Sequence, residues 1–483
     1  MSGDLPAPLG EPTGADLRRG LSSLHVIAIV VSAMIGVGIF IRSASMMQGV
    51  GTAPLLVIAW IAGGLLTLAG ALSYAELCTL MPRAGGEYVF LREAFGGRVA
   101  FLFGWMRFVV GAGLTAAIAV GVATFLADAF SLSGAWWQSS MRVFGFQWQL
   151  EWGPRQIISL SAIGVLAALN CRSVRTSGNT QSAFAGFKVA VLFVLIVSAA
   201  LATHSPGVVQ PTTTSSTSVA HGGFALAVLG ALQAYNGWVF VAMMSGEVAD
   251  FRRNYARDII VGTLIVIALY VLINIGYVKL LSVSEISLSN SAAHPDAQSV
   301  GARLARVLFG SSAGAVMAVA FAVSALGALH CSLLSIPRIF YAMARDGLFP
   351  RAFARVDRRT SVPRTAIVCF AIWVAVLTLI GGYDRLGNMA IFAAYLFYCC
   401  NVVGLMVLRR RWPNAKRPFA VPAYPWIPLA FLLGSLAMLA ATVARGAPEV
   451  IAALGLLTLG LPVYGMFRRI RGRRTAAEPR AAT

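Results

Sequence analysis

Charge is scarce in this chain. Of its 483 residues 12% are charged and 58% hydrophobic, and acidic side chains are the rarest, 18 Asp and Glu against 38 Lys and Arg. Soluble domains carry about 25% charged residues, so a water-exposed globule is excluded. The six cysteines (Cys78, Cys171, Cys331, Cys369, Cys399, Cys400) avoid every segment expected to face outward, which excludes a disulfide framework. The adjacent pair Cys399-Cys400 reads as small packing residues. Histidines are few and scattered: His25, His204, His221, His294 and His330. Of these, His330 alone falls near a cavity, and it reads as a hydrogen-bonded packing residue. There is no His-Glu-x-x-His, no Gly-x-Ser-x-Gly, no P-loop and no cluster of Cys and His. Enzymatic chemistry, ATP hydrolysis, a metal site and a cofactor therefore have no support.

What the chain has instead is long apolar runs, and its mean hydropathy is +0.77. A hydrocarbon core of roughly 30 Å needs about 20 apolar residues per helix. Twelve stretches supply them, near 25–48, 54–80, 99–127, 155–171, 183–203, 222–247, 258–281, 312–340, 364–381, 385–408, 425–444 and 449–467. The expected class is an all-α integral membrane protein. Eight basic residues (Arg42, Arg142, Arg155, Lys279, Arg303, Arg306, Arg385, Arg445) fall on one side, Arg107 and Lys188 fall inside spans, and the rest lie on the other side. By the positive-inside rule the rich side is cytoplasmic, which puts both termini inside a cytoplasmic or plasma membrane. The formal charge of +20 then reflects topology and anionic lipid of the bilayer rather than nucleic acid. The expected organisation is a cytoplasmic tail 1–24 without a cleavable signal, one membrane domain 25–470 and a cytoplasmic tail 471–483. The polar outer segments 129–154 and 204–221 read as connectors. Val300 to Leu308 reads equally as a lid helix or as a surface helix packed on the bundle. The glycine-bracketed stretch Gly85 to Gly97 mixes charges with aromatics, and the mixture suits a helix lying along the cytoplasmic interface.

Glycine interrupts two runs in matching places, Ser32-Ala33-Met34-Ile35-Gly36-Val37-Gly38-Ile39-Phe40 in the first and Gln233-Ala234-Tyr235-Asn236-Gly237-Trp238 in the sixth. A helix broken in lipid exposes peptide groups that must find partners, so a break is tolerated only where backbone is buried in protein or lines a cavity. Paired breaks point to a carrier's substrate site. Free N–H groups at one half-helix start attract an anion, and free C=O groups at the other's end attract a cation. An amino acid zwitterion matches both. If spans one and six are equivalent, the repeat unit has five helices, and the odd number inverts the second copy. Charges inside the spans add further candidates. Lys188 is expensive there unless it is solvated or paired, although a snorkelling lysine is the alternative. Glu76, Glu247 and Arg338 share one depth near the cytoplasm and form a candidate inner gate, with Glu76 expected to pair with Arg338. Arg107 has no partner legible in the sequence.

Several motifs together carry a family resemblance. Gly36-Val37-Gly38-Ile39-Phe40, Pro82 to Tyr88, Arg172 to Lys188, Gly237-Trp238 with Glu247-Val248, Ala344 to Pro350, and Arg417-Pro418-Phe419 with Tyr424-Pro425-Trp426 resemble the amino acid–polyamine–organocation superfamily from about residue 20 to 470. Gly104-Trp105 with Arg107 to Val110 is similar to its L-type amino acid transporter branch. The resemblance implies a LeuT-type 5+5 inverted repeat, near 25–203 and 222–408, with broken helices 1 and 6 and two appended helices. It implies that Ile35, Gly36, Val37, Gly38 and Ile39 bind the substrate's charged ends. Gln233, Ala234, Tyr235, Asn236, Gly237 and Trp238 complete that site. Two positions depart from the family: Gln233 stands where an aromatic gate is common and Val37 where serine is common, so occlusion falls to Tyr235 or Trp238. The resemblance also places Lys188 where a sodium ion would sit, bridging the first break and Ser324. Transport would then be sodium-independent, by proton symport or by exchange.

Neutral amino acids are the expected substrates, because no acidic residue lies between Phe101 and Ala127. A carrier of polyamines or cationic amino acids, a major facilitator, and a channel or receptor are the alternatives. The segment 129–154 lacks the cysteine through which eukaryotic L-type transporters join a glycoprotein, so no disulfide-linked heavy chain is expected.

Overall fold

The computed structural model describes residues 17–477 apart from 131, 133, 144–145, 204–222, 250, 292, 295–296, 311, 381–382 and 445–447. The segment 204–221 with His204 and His221, Arg445, and the ends of both tails thus lie outside the described residues.

In an apolar medium a helix satisfies its own peptide groups, and helices follow the apolar runs. The helices are α1 (Ser23–Met34), α2 (Gly38–Val50), α3 (Ala53–Leu80), α4 (Glu87–Phe95), α5 (Gly97–Val109), α6 (Gly111–Ala129), α7 (Pro154–Asn170) and α8 (Val174–Leu201). They continue with α9 (Gly223–Ala234), α10 (Phe240–Met243), α11 (Phe251–Leu280), α12 (Val283–Ser287), α13 (Val300–Phe309), α14 (Ala313–Ser335) and α15 (Pro337–Arg345). The last four are α16 (Arg364–Ile380), α17 (Tyr383–Arg411), α18 (Trp426–Ala444) and α19 (Pro448–Ala477). Among the described residues eight helices are long and apolar enough to cross a bilayer, α1 and α2 form a ninth span bent by 44°, and α9 and α16 are shorter apolar helices.

Helices α1, α2, α3, α8, α9, α11 and α14 pack together and hold the two breaks between them. Small residues let backbones approach, as is usual where lipid gives no hydrophobic drive between helices. A Cβ on Gly63 of α3 would lie 2.5 Å from the Ala231 Cβ of α9, and one on Gly104 of α5 would lie 2.0 Å from the Met343 sulfur of α15. The outward faces stay apolar, as with Phe193 and Val194 on α8 and Ile372 on α16, all exposed.

Two expectations fail here. The segment 129–154 is not a plain connector, since Trp137–Val143 (β1) and Phe146–Trp152 (β2) pair as an antiparallel hairpin. Nor does α4 lie along a surface: Glu87, Tyr88, Val89, Phe90, Leu91 and Ala94 are buried, and the helix packs on α5 and α17. Its charges are internal partners rather than interfacial anchors. α13 packs against α14 and α2.

Candidate functional site

The first break spans residues 35–37. The Ile35 N–H still donates to the Val31 carbonyl at 2.9 Å, but Gly36 N–H turns back to Met34 O. Carbonyls at the end of α1 are then taken by side chains from three other helices. Lys188 of α8 donates its Nζ to Ser32 O at 2.6 Å and Ile35 O at 2.7 Å. Ser324 of α14 donates to Ile35 O at 3.2 Å and Tyr270 of α11 to Met34 O at 2.8 Å. Lys188 is 2% exposed, so it does not snorkel. Its charge rests on the negative end of the α1 dipole without a carboxylate in salt-bridge range among the described residues. At the other lip of the break, the N–H groups of Val37, Gly38 and Ile39 donate to no acceptor among the described residues. A Cβ on Gly36 would meet nothing within 4 Å, which leaves open space beside these donors.

The second break runs from Tyr235 to Val239. Gly237 adopts φ +137° and a Cβ there would lie 2.4 Å from Ala33 O, so only glycine lets the two breaks touch. On the other side a Cβ on Gly38 would contact Ala234 at 3.4 Å. The start of α2 and the end of α9 thus sit side by side. The carbonyls of Ala234 and Tyr235 accept from no donor among the described residues, whereas Tyr395 caps Leu232 O at 2.9 Å. Among the described residues, unpaired donors on one lip thus lie beside unpaired acceptors on the other, with open space at Gly36. Val37 brings no hydroxyl, so the first lip is backbone alone.

The side chains of the second break are engaged with neighbouring helices. Gln233 Nε2 reaches the Met438 sulfur of α18 at 3.8 Å. Tyr235 donates to Trp60 O at 3.3 Å and packs on Trp60 and Tyr270. Trp238 lies in an aromatic cluster, 4.8 Å edge-on from Tyr74 and 5.9 Å from Phe431. Tyr235 is therefore an anchor of the break rather than a free lid. Asn236 presents its amide oxygen to Tyr398 at 3.1 Å.

At the arginine-rich end, Glu247 and Arg338 are both fully buried and joined twice, Nε to Oε1 at 2.8 Å and Nη2 to Oε2 at 3.1 Å. Arg338 also donates to Leu334 O. The Glu247 carbonyl accepts from Gly20 and Leu21 at 2.8 and 3.0 Å, which straps residues 20–21 beneath the pair. Glu76 does not pair with Arg338, contrary to expectation. It accepts from Arg409 at 2.8 and 2.5 Å and from the Val421 N–H at 2.8 Å, with Arg417 Nε 3.2 Å away. Equal depth along the spans did not mean equal rotation about them.

Sequence reasoning missed a second buried pair. Arg107 lies 3.1 Å from Glu87, which also accepts from Tyr74 at 2.9 Å. Gly327 was missed too: a Cβ there would fall 2.9 Å from Ser32 Oγ and 3.0 Å from Lys188 Nζ, so this glycine makes the room that Lys188 occupies. His330 is buried and bonded to Gln181 at 2.5 Å.

Comparison with known proteins follows the same lines. The serine/threonine exchanger SteT of Bacillus subtilis is 29% identical over 94% of this chain and 98% of its own length. The human cystine/glutamate transporter is 27% identical, covering 97% and 89%, and the rat b(0,+)-type amino acid transporter 1 is 28% identical, covering 95% and 89%. The amino acid permease family matches residues 21–459, and the chain belongs to that family.

Proposed function

We propose that this permease is a sodium-independent secondary carrier of neutral amino acids that works by alternating access. The observation that carries the reading is the juxtaposition of two helix breaks whose N–H groups (Val37, Gly38, Ile39) and carbonyls (Ala234, Tyr235) lack partners among the described residues. Such a pair of opposed dipole ends suits a small zwitterion. Lys188 supports sodium independence, because its ammonium occupies the carbonyl end that a cation would otherwise fill. Neutral side chains are favoured over cationic ones, since each buried carboxylate near the breaks is already bound by arginine: Glu87 by Arg107, Glu247 by Arg338 and Glu76 by Arg409.

The finer architecture is part of the same proposal. Twelve crossings result if α7, α9 with α10, and α16 also span the bilayer. The inverted repeat then relates α1–α2 to α9–α10, within a transporter domain 25–470 flanked by short tails. The Lys and Arg excess puts the Glu247–Arg338 end and both termini in the cytoplasm, where that pair and the residue 20–21 strap close the inner side. Exchange is favoured over proton symport by the likeness to an exchanger, and segment 129–154 offers no cysteine to a covalent partner.

Counterflow in proteoliposomes tests the reading. A preloaded neutral amino acid should drive accumulation of its labelled counterpart at the same rate with and without sodium. Conductive flux, or uptake that requires sodium, would overturn it.

A further inference from the structure

The loop between α15 and α16 has no role in the site above, yet it is built for a ligand of one charge. Residues 351–364 carry five arginines against one aspartate. Among them a cavity of about 430 Å³ is lined by Arg355, Asp357, Arg364, Thr365, Val368 and Cys369. Arg355 and Arg364 are exposed and form no ion pair among the described residues. The one carboxylate stays ionised and is held by its own loop, Asp357 Oδ1 accepting from the N–H groups of Arg359 and Thr360 at 2.9 Å each and from the Thr360 hydroxyl at 3.0 Å, so it offsets part of the Arg364 charge and leaves the five arginines in excess. Arg364 and Thr365 open α16, so the positive end of that helix dipole adds to the guanidinium charge.

The upper wall of the cavity turns apolar at Val368 and Cys369. From there an exposed stripe, Val368, Ile372 and Val376, climbs α16 at four-residue spacing. A ligand that joins an anionic head to a hydrocarbon tail matches both parts, whereas a free anion would use only the first. We propose that this cavity binds the phosphate headgroup of an anionic phospholipid, with an acyl chain lying along the α16 stripe. By the positive-inside rule this is the cytoplasmic leaflet, the side whose anionic lipids draw basic segments. The loop follows directly from α15, which carries Arg338, and Asp346 at its start is held by Tyr88 and Arg92. An occupied headgroup site would therefore brace the same end of the bundle as the Glu247–Arg338 pair.

Titration of the detergent-solubilised full chain with phosphatidylglycerol and phosphatidylcholine, read by native mass spectrometry, tests this. Phosphatidylglycerol should bind tightly, and Arg355→Gln and Arg364→Gln should each weaken it by about fivefold, the worth of one basic residue at an anionic surface. Phosphatidylcholine binding should not change. Arg306→Gln on α13, remote in sequence, should leave both lipids as in the parent chain. If the glutamine variants fail to fold, Thr365→Glu replaces them, because a carboxylate suits a helix start while repelling phosphate. Glycerol phosphate and inorganic phosphate should not displace the lipid. Displacement by either at lipid-like concentration would assign the cavity to a free phosphate. That result, equal retention of the two lipids, or full phosphatidylglycerol binding by the variants would overturn the proposal.

Discussion

Replacing Lys188 with alanine is expected to abolish most transport while the chain still inserts. The ammonium satisfies Ser32 O and Ile35 O, and both are otherwise buried at the frayed end of α1. Without it Ser32 O is orphaned while Ile35 O keeps only the 3.2 Å bond from Ser324; an orphaned carbonyl costs about 1–3 kcal/mol, so the geometry of the first lip should be lost at a penalty corresponding to roughly 10- to 100-fold in uptake. Arginine should not rescue, because its planar guanidinium is larger than an ammonium and Gly327 leaves space only for the slimmer group. Gly327→Ala should reproduce part of the loss by pushing on Nζ from the other side. Initial rates of labelled amino acid uptake across a pH series provide the check. A Lys188→Ala carrier with an unchanged rate and pH profile would remove Lys188 from the mechanism.

The second large effect concerns Glu247 and Arg338. Both side chains are fully buried, so removal of either leaves an uncompensated charge, at about 3–5 kcal/mol. Arg338→Ala or Glu247→Ala should therefore lower the melting temperature steeply and stop uptake. The double variant Arg338→Met with Glu247→Leu removes both charges and keeps volume, and its melting temperature should return most of the way to that of the parent. If the pair parts when the inner side opens, as the proposed gate requires, transport should stay impaired, since an apolar contact that does not respond to water cannot replace it. Thermal melts of the three variants beside uptake assays decide the matter. Single variants with unchanged melting temperature would show that the pair is not what holds this end.

The sequence made the breaks legible because glycine at mid-membrane has few uses: Gly36 and Gly38 in one run and Gly237 in another mark where two backbones must meet. Lys188 was legible for the complementary reason, that a charge at bilayer depth needs a partner, and peptide carbonyls of a broken helix are such a partner. Rotation about the spans was not legible. Hydropathy gives depth, and depth alone suggested that Glu76 faces Arg338, whereas α17 and the 412–425 segment supply its cations, Arg409 and Arg417. The same blindness hid Arg107 and Glu87, whose pairing depends on α4 folding back into the bundle. Mixed charge and aromatic character in α4 suited an interface equally well, and burial decided otherwise. The hairpin is a different case. Phe146-Gln147-Trp148-Gln149-Leu150-Glu151-Trp152 alternates strictly, the period of a strand, and the signal was present to be read. Side-chain direction at the second break was invisible in principle, since nothing in Gln233 or Tyr235 states whether it faces the substrate or, as found, Met438 and Trp60.

The central claim is that unpaired peptide groups of both breaks hold the two charged ends of one small substrate. The most direct measurement is competition in proteoliposome counterflow between a transported amino acid, its carboxamide and its N-acetyl derivative. Each derivative deletes one charge-assisted set of hydrogen bonds and should compete roughly 10- to 100-fold more weakly than the parent. A carboxamide or an N-acetyl compound that competes as well as the zwitterion would contradict the account.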